Sequence, residues 1–170
     1  VGTARSNLAG AGYGGDKALF GYGQGVSLYT AITNLVSNAG VVATDTTGVG
    51  TVRDQLAATG YAFDKAIFGY GLNSSYRSLT NLVSNLGVVA TDTTGVGTGR
   101  YQLAAAGYAG DKAIFGYGDD GNVTYYSITN LVSNVGNVAT DTTGVGTARY
   151  ELAAASYGTD RGIFGYGDTA

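Results

Sequence analysis

The chain has 170 residues, of which 30 are glycine, and it contains no histidine, cysteine, proline, methionine or tryptophan. The lack of histidine and cysteine excludes a Ser-His-Asp triad, a cysteine nucleophile and a zinc site built from the usual nitrogen and sulfur ligands. Nine basic residues against twelve acidic ones give a net charge of -3, without the basic excess of a nucleic-acid-binding protein, and no apolar run is long enough to span a membrane.

Four strands are predicted within the first 48 residues, separated by segments in which Gly, Asn and Asp recur. In chain order they cover residues 8–13, 17–22, 31–37 and 41–46. Tight hairpin turns suit the short links after the first and the third of these strands. Helix is not predicted, because glycine recurs every few residues and the apolar positions keep no period of 3.6.

The same pattern then repeats along the whole chain. The motif Phe-Gly-Tyr-Gly begins at Phe20, Phe68, Phe115 and Phe164. The units it marks are residues 1–48, 49–95, 96–144 and a half unit, 145–170, which together form one domain or part of a larger one. Because the first unit opens inside a motif that recurs later, we expect the chain to be an excerpt of a longer protein. The glycine after each Phe is predicted to lie where a side chain would collide with a neighbouring strand or unit.

Length varies between the units in one place, the loop between the second and third predicted strands. The three loops cover residues 24–31, 72–78 and 119–127, and variable loops on a constant scaffold are where recognition usually resides. Aligned from the third strand, Tyr29, Tyr76 and Tyr125 coincide, and tyrosine with Ser, Gly and Asn is typical of binding surfaces. The alternative is that these tyrosines only pack on neighbouring units. The candidate ligand-binding residues are Tyr29, Tyr76, Arg77, Asp119, Asp120, Tyr125 and Tyr126.

Charged residues recur at equivalent positions in the units, including Arg5, Arg53, Arg100 and Arg149, and Asp45, Asp92 and Asp141. A catalytic carboxylate would be singled out by its surroundings, whereas these share one local context, so a structural role is predicted. We expect the aspartates to act in turns and the arginines to be buried, bonded to carbonyls or paired with Asp, including Asp of a neighbouring unit. One carboxylate flanked by threonines has too few ligands for Ca²⁺, and neither a metal nor another cofactor is predicted.

Antiparallel four-stranded units of about 48 residues, packed face to face, are typical of the blades of a β-propeller. The predicted fold is therefore all-β, a propeller in which the Ala- and Gly-rich first strand lies nearest the axis. The alternative is a β-solenoid, in which equivalent residues such as Asn34, Asn81 and Asn130 would form ladders.

Three motifs of each unit, exemplified by Leu-Ala-Ala-Ala-Gly-Tyr, Asp-Lys-Ala-Ile-Phe-Gly-Tyr-Gly and Ser-Ile-Thr-Asn-Leu-Val-Ser-Asn in 96–144, resemble kelch repeats. They are more similar still to the kelch-like arrays of marine bacteriophage tail-fibre and other virion proteins. The resemblance implies a non-enzymatic structural or recognition module at a virion or in the extracellular space. Its partners would be a host surface glycan or protein, other virion proteins or further copies of itself, without nucleic acid or membrane insertion. The alternative function is a lectin-like module that binds one glycan per unit.

Overall fold

The computed structural model describes residues 2–122 and 124–169, and within them the chain forms strands and turns only. The described segments thus contain no helix that could cross a membrane. The first unit contains β1 (Ala9–Tyr13), β2 (Lys17–Gly21) and β3 (Thr33–Val36). The second contains β4 (Ala57–Tyr61), β5 (Lys65–Gly69), β6 (Leu72–Asn73), β7 (Ser75–Tyr76) and β8 (Thr80–Val83). The third contains β9 (Ala104–Tyr108), β10 (Lys112–Gly116) and β11 (Thr129–Val132), and the half unit contains β12 (Ala153–Tyr157) and β13 (Arg161–Gly165).

Each complete unit is an antiparallel sheet of three strands in the order β1-β2-β3, β4-β5-β8 and β9-β10-β11, and the half unit is the hairpin β12-β13. The register is the same throughout: in the second unit Ala57 pairs with Gly69, and Phe68 pairs with Asn81 on its other side. The all-β class and the first three predicted strands of each unit are confirmed, with ends that differ by one or two residues.

The prediction of a regular fourth strand was wrong. Residues 88–93 do run antiparallel to β8, but only isolated bridges join them, Val83 to Val89 and Thr80 to Thr93. Two residues lie between the bridged positions on β8 and three lie between them on the other segment, so one extra residue forms a β-bulge. The other two complete units have the same offset. The bulge interrupts the ladder, which leaves each unit with three regular strands and an irregular fourth edge.

Successive units stack face to face, with the first strands closest together. A methyl group on Gly60 would lie 3.3 Å from the carbonyl oxygen of Gly12 in the preceding unit, so Ala and Gly in this strand permit backbones to approach. The second strands are further apart, and the rings of Phe68, Phe115 and Phe164 fill the space between them. The spacing between neighbouring units is consequently larger at their second strands than at their first strands.

The Phe rings also form the centre of the two apolar core clusters. Phe68 packs edge-on against Tyr22 of the preceding unit, with ring centroids 5.0 Å apart, and Phe115 packs in the same way on Tyr70, at 5.2 Å. Beneath each ring lies the glycine predicted to be a point of close approach. That prediction is confirmed at Gly21, Gly69 and Gly116, whereas a methyl group at Gly165 would meet nothing within 4 Å.

Candidate functional site

The variable loops lie together at one end of the stacked units, which we call the loop face: residues 24–31, 72–78 and 119–127 with the segments that precede each first strand. The opposite end carries the short turns, where the Asn38 amide donates to the Asp16 carboxylate at 3.0 Å. Strand direction produces this division, because β1, β2 and β3 alternate in direction and the second and third strands are joined at the loop end.

Each variable loop begins as a small sheet of its own. In the second unit Asp54 pairs with Leu72, which pairs with Tyr76 on its other side. In the third unit Asp119 takes the place of Leu72, between Tyr101 and Tyr125, and in the first unit Gln24 lies between Ser6 and Tyr29. The structure therefore places Tyr29, Tyr76 and Tyr125 at equivalent positions, as their alignment in the sequence predicts.

Two of these tyrosines contact the next unit. The ring of Tyr76 stacks on Tyr101 with centroids 5.5 Å apart, and Tyr125 stacks on Tyr150 at 4.9 Å. The residue equivalent to Tyr101 in the second unit is Asp54, which gives Tyr29 no aromatic side chain at that position. Sequence reasoning missed Tyr101 and Tyr150. The available signal was the Arg-Tyr pair that occurs only in the third and fourth units.

Asp119 and Asp120 serve first to shape their own loop. The Asp119 carboxylate accepts from the Gly121 amide at 2.5 Å, and Asp120 accepts from the Asn122 amide at 3.0 Å, which are Asx turns. Asp120 also accepts from the Tyr126 hydroxyl at 2.9 Å. These bonds, that from the Asn122 amide foremost, hold the pKa of Asp120 below its usual value. Burial, helped by the nearby charge of Asp119, raises the pKa of Tyr101 to about 12.

Arg77, the remaining candidate, is half-buried within the loop of the second unit. Its guanidinium donates to the Asn73 carbonyl at 3.5 Å, a long contact, and its backbone amide donates to the Gly71 carbonyl at 2.9 Å. The seven candidates are therefore distributed along the loop face rather than gathered around one cavity. This distribution suits a broad contact surface better than a pocket for one small molecule.

The loop tips differ in chemistry from unit to unit. In the first unit Val26 and Leu28 are exposed, with Leu28 at 78% of its maximum. In the second the exposed tip residues are Ser74 and Ser75, and in the third Gly121, Asn122 and Thr124 are exposed. The loop face consequently presents a largely apolar tip, a hydroxyl-bearing tip and a tip that carries both an amide and a hydroxyl group.

A polar network behind the loop face uses the charges that recur in each unit. In the second unit the Asp92 carboxylate accepts from the backbone amide of Thr51 at 3.0 Å and from the side-chain amide of Asn81 at 2.9 Å. Asn81 in turn accepts from the Arg53 guanidinium at 2.6 Å. Burial works to raise the pKa of Asp92, but the bonds from Thr51 and Asn81 outweigh it and hold that pKa below the usual value. Asp92 lies in the bulged segment, and from there its carboxylate reaches this network.

The arginine of the network joins two units. Arg53 and Arg100 are fully buried, and the Arg100 guanidinium donates to the Tyr117 carbonyl at 2.6 Å and to the Thr98 carbonyl at 3.0 Å. Its face lies 4.3 Å from the ring centroid of Tyr70 in the preceding unit, a favourable cation-π geometry. Burial raises the pKa of Tyr70 to about 12, although Arg100 opposes this change. The predicted burial of the arginines is confirmed for this pair.

The predicted bonding of arginine to carbonyls and to Asp is found within each unit, and no Arg-Asp pair between units is found among the described residues. Arg5 lies 3.7 Å from Asp45 and Arg100 lies 4.0 Å from Asp141, each within its own unit. The contact between units is instead the stacking of Arg on Tyr. The reason is that the segment carrying the arginine and the bulged fourth edge carrying the aspartate belong to the same unit and meet at the loop end. There an asparagine lies between the guanidinium and the carboxylate and bridges them: Asn34, Asn81 and Asn130.

Across residues 2–122 and 124–169, no three acidic side chains come together as metal ligands would. A cleft of about 360 Å³ lies between the third unit and the half unit, lined by Tyr108, Tyr117 and Phe164 among others. None of the seven candidate residues lines it. The chain matches no protein-family profile and no curated protein sequence.

Proposed function

We propose that this chain is a non-enzymatic structural and recognition module, part of a phage tail fibre or another virion appendage. It would contact a host surface or another virion protein, at the virion or in the extracellular space. In this proposal the stacked units are the scaffold and the loop face is the contact surface. The observation that carries the proposal is the contrast between a constant polar network, in which the arginine and asparagine of the second and third units are buried and the aspartate is exposed, and loop tips of different chemistry.

The polar network supports a scaffold role because its groups are already bonded to one another. The carboxylate of Asp92, the amide of Asn81 and the guanidinium of Arg53 are linked in series. The third unit repeats the arrangement with Asp141, Asn130 and Arg100. Buried polar groups that are satisfied in this way make a structure rigid and specific. A group engaged in such a network has little freedom left to contact a ligand.

The shape of the units favours a β-propeller, with each unit as a blade and the bulged fourth segment as its outer edge. Ala- and Gly-rich first strands approach closely, while the Phe rings hold the second strands further apart. Units of this wedge shape splay from a common line, as propeller blades do around their axis. A ring of them would need further units beyond the three and a half in this chain.

The lectin-like alternative needs the same glycan contacts in every unit. Tyr29, Tyr76 and Tyr125 are the feature that favours it, because they recur at equivalent positions and aromatic rings suit sugar faces. The different loop tips favour recognition of an extended, irregular surface instead. Equal contributions of the three tips to glycan binding would support the lectin.

The first prediction concerns the apolar tip of the first loop. The double substitution of serine for Val26 and Leu28 should reduce attachment of the chain to bacterial cells or polysaccharides at least fivefold. The free energy of unfolding should stay within about 0.5 kcal/mol of the native value, because both side chains are exposed. The matched control replaces Leu86 and Val88 with serine at the opposite end, where Leu86 is 77% exposed. Labelled chain is measured on panels of marine bacterial cells and on printed bacterial polysaccharides.

The control variant should attach like the native chain. Equal loss in both double variants would show that attachment does not depend on the loop face. Native chain that binds none of the cells or polysaccharides would remove the support for host-surface recognition.

A further inference from the structure

The first hairpins of the second and third units are almost identical in sequence. Residues 57–69 and residues 104–116 differ at only two positions, where the second unit has Thr59 and Phe63 and the third has alanine and glycine. The two hairpins share one register and one turn length. The hairpin therefore forms without either side chain, and both are differences that the fold itself does not require.

Phe63 occupies a backbone conformation that favours glycine. Its φ is 66°, and Gly15 and Gly110 hold the equivalent positions with φ of 81° and 78°. A bulky side chain is rarely found in this left-handed region. Burial does not compensate, because Phe63 is 80% exposed although a complete unit lies on each side of it. An unfavourable conformation kept at an exposed aromatic residue is typical of a side chain retained for function.

Phe63 and Thr59 line the same groove, of about 310 Å³, at the end of the units opposite the loop face. Its walls come from the first strands, the turns that follow them and the starts of the second strands. The Phe63 ring lies beside the next turn, since a methyl group on Gly110 would be 3.8 Å from its Cε1 atom. Pockets for small ligands measure about 300–1,000 Å³, so this groove suits a small ligand.

The free edge of the first strands is exposed in this groove and binds a hydroxyl group. The Ser156 hydroxyl accepts from the Gly107 amide at 3.0 Å and donates to the Gly107 carbonyl at 3.0 Å. Gly60 is the equivalent of Gly107 one unit earlier, and the residue that faces it is Gly107, which carries no hydroxyl. The edge at Gly60 is therefore available to a hydroxyl of a ligand, beside the side chain of Thr59.

Two cations, Lys112 and Arg161, line the groove as well. The Lys112 ammonium lies 3.6 Å from the Asp111 carboxylate, and the Arg161 Nε atom lies 3.7 Å from the Asp160 carboxylate. The equivalent Lys17, outside the groove, lies 2.7 Å from its own aspartate. Ion pairs at the protein surface contribute little to stability, and the two groove cations are held more loosely than Lys17. They are consequently available to an anionic group in the groove.

We propose that this groove binds an acidic sugar residue of a polysaccharide, at a site separate from the loop face. The Phe63 ring would pack on the apolar face of the sugar. The strand edge at Gly60 and the Thr59 hydroxyl would bond its hydroxyl groups, and Lys112 and Arg161 would contact its carboxylate. A neutral sugar would leave the cations unused, and an apolar ligand would leave the strand edge unused. The proposal is independent of what the loop face binds.

The experiment is calorimetric titration of the chain with oligosaccharides of galacturonic acid and with the matching oligosaccharides of galactose, which lack the carboxylate. The native chain should bind the acidic series about tenfold more tightly. Lys112→Gln should remove this preference, whereas the control Lys17→Gln, outside the groove, should keep it.

Phe63→Gly separates binding from folding, because it gives the second unit the turn residue that the third unit already has. This variant should bind the acidic series about tenfold more weakly, through loss of the aromatic contact. Its melting temperature should stay the same or rise, since glycine adopts the left-handed conformation without strain. Thr59→Ala, which also restores the residue of the third unit, should weaken binding and leave the melting temperature unchanged.

A native chain that binds neither series, or binds both equally, would overturn the proposal. So would native affinity in Phe63→Gly, or a melting temperature of that variant several degrees below the native value, which would show that the ring packs the turn. The variant with serine at Val26 and Leu28 should bind the acidic oligosaccharides like the native chain. Failure of this proposal is thereby distinguished from failure of recognition by the loop face.

Discussion

Replacing Arg100 with methionine is expected to lower the free energy of unfolding by about 3–5 kcal/mol, since it leaves three buried or part-buried acceptors without their donor, at about 1–3 kcal/mol each. Arg100 is fully buried and donates to Tyr117, Thr98 and Asn130. Its loss leaves those acceptors without their donor and removes the cation-π contact with Tyr70. Equilibrium unfolding in urea measures the change. Lysine at this position should recover only part of the loss, since an ammonium group cannot reproduce the guanidinium fork.

Arg149 provides the matched control because it occupies the equivalent position in the half unit. It is only half-buried, bonds the Tyr166 carbonyl at 3.0 Å, and lies 5.8 Å from the Tyr117 ring centroid. Arg149→Met should cost less than about 1 kcal/mol, as for other exposed ionic contacts. Similar losses in the two variants would contradict the role assigned to burial between two complete units.

Gly69→Ala is expected to cost about 1–3 kcal/mol, the usual effect of overfilling a packed interior. The added methyl group would lie 2.6 Å from the Cζ atom of Phe115, whose ring is fully buried and has little room to move. Gly165→Ala has the same chemistry in open space, and there alanine should be neutral or slightly stabilising, because glycine costs more conformational entropy on folding. Both variants are measured by equilibrium unfolding in urea.

The double variant Gly69→Ala/Phe115→Leu identifies the cause of the loss. A smaller side chain at position 115 should remove part of the penalty of Gly69→Ala, which appears as a favourable coupling energy in the double-mutant cycle. Strictly additive effects would show that the methyl group and the ring do not collide.

The sequence predicted the repeated units, three strands in each and the points of close approach, because these depend on local patterns. Turn residues mark the hairpins, and a glycine that recurs after Phe68 and its equivalents has few explanations other than packing. The equivalence of Tyr76 and Tyr125 followed from counting back from the third strand. Each of these inferences uses residues that are neighbours in the chain.

The bulged fourth edge and the stacked tyrosines could not be predicted in this way. The bulged segment carries Asp92, which contacts Asn81 and Thr51, 11 and 41 residues earlier in the chain. The sequence Val-Val-Ala-Thr-Asp-Thr of residues 88–93 looks like an ordinary strand. The partner of Tyr76 is Tyr101 in the next unit. Its only signal was the Arg-Tyr pair of the third and fourth units, because the equivalent residue in the second unit is Asp54. Contacts between distant segments decided both features.

The division between a constant scaffold and recognition by the loops is tested most directly by exchanging one loop. Residues 119–127 are replaced by the sequence of residues 72–78, which places a leucine opposite Tyr101 and keeps a tyrosine to stack on Tyr150. The reverse exchange is less suitable, because an aspartate equivalent to Asp119 would then lie opposite Asp54. Attachment to the cell and polysaccharide panels is measured together with the melting temperature.

We expect the exchanged chain to melt within about 3 °C of the native chain, a change of about 1 kcal/mol for a chain of this size. Its attachment to the panels should change in strength or in preference by at least fivefold. Unchanged attachment together with a melting temperature lowered by about 10 °C or more would contradict the account. It would show that residues 119–127 pack the junction between units and do not recognise a partner.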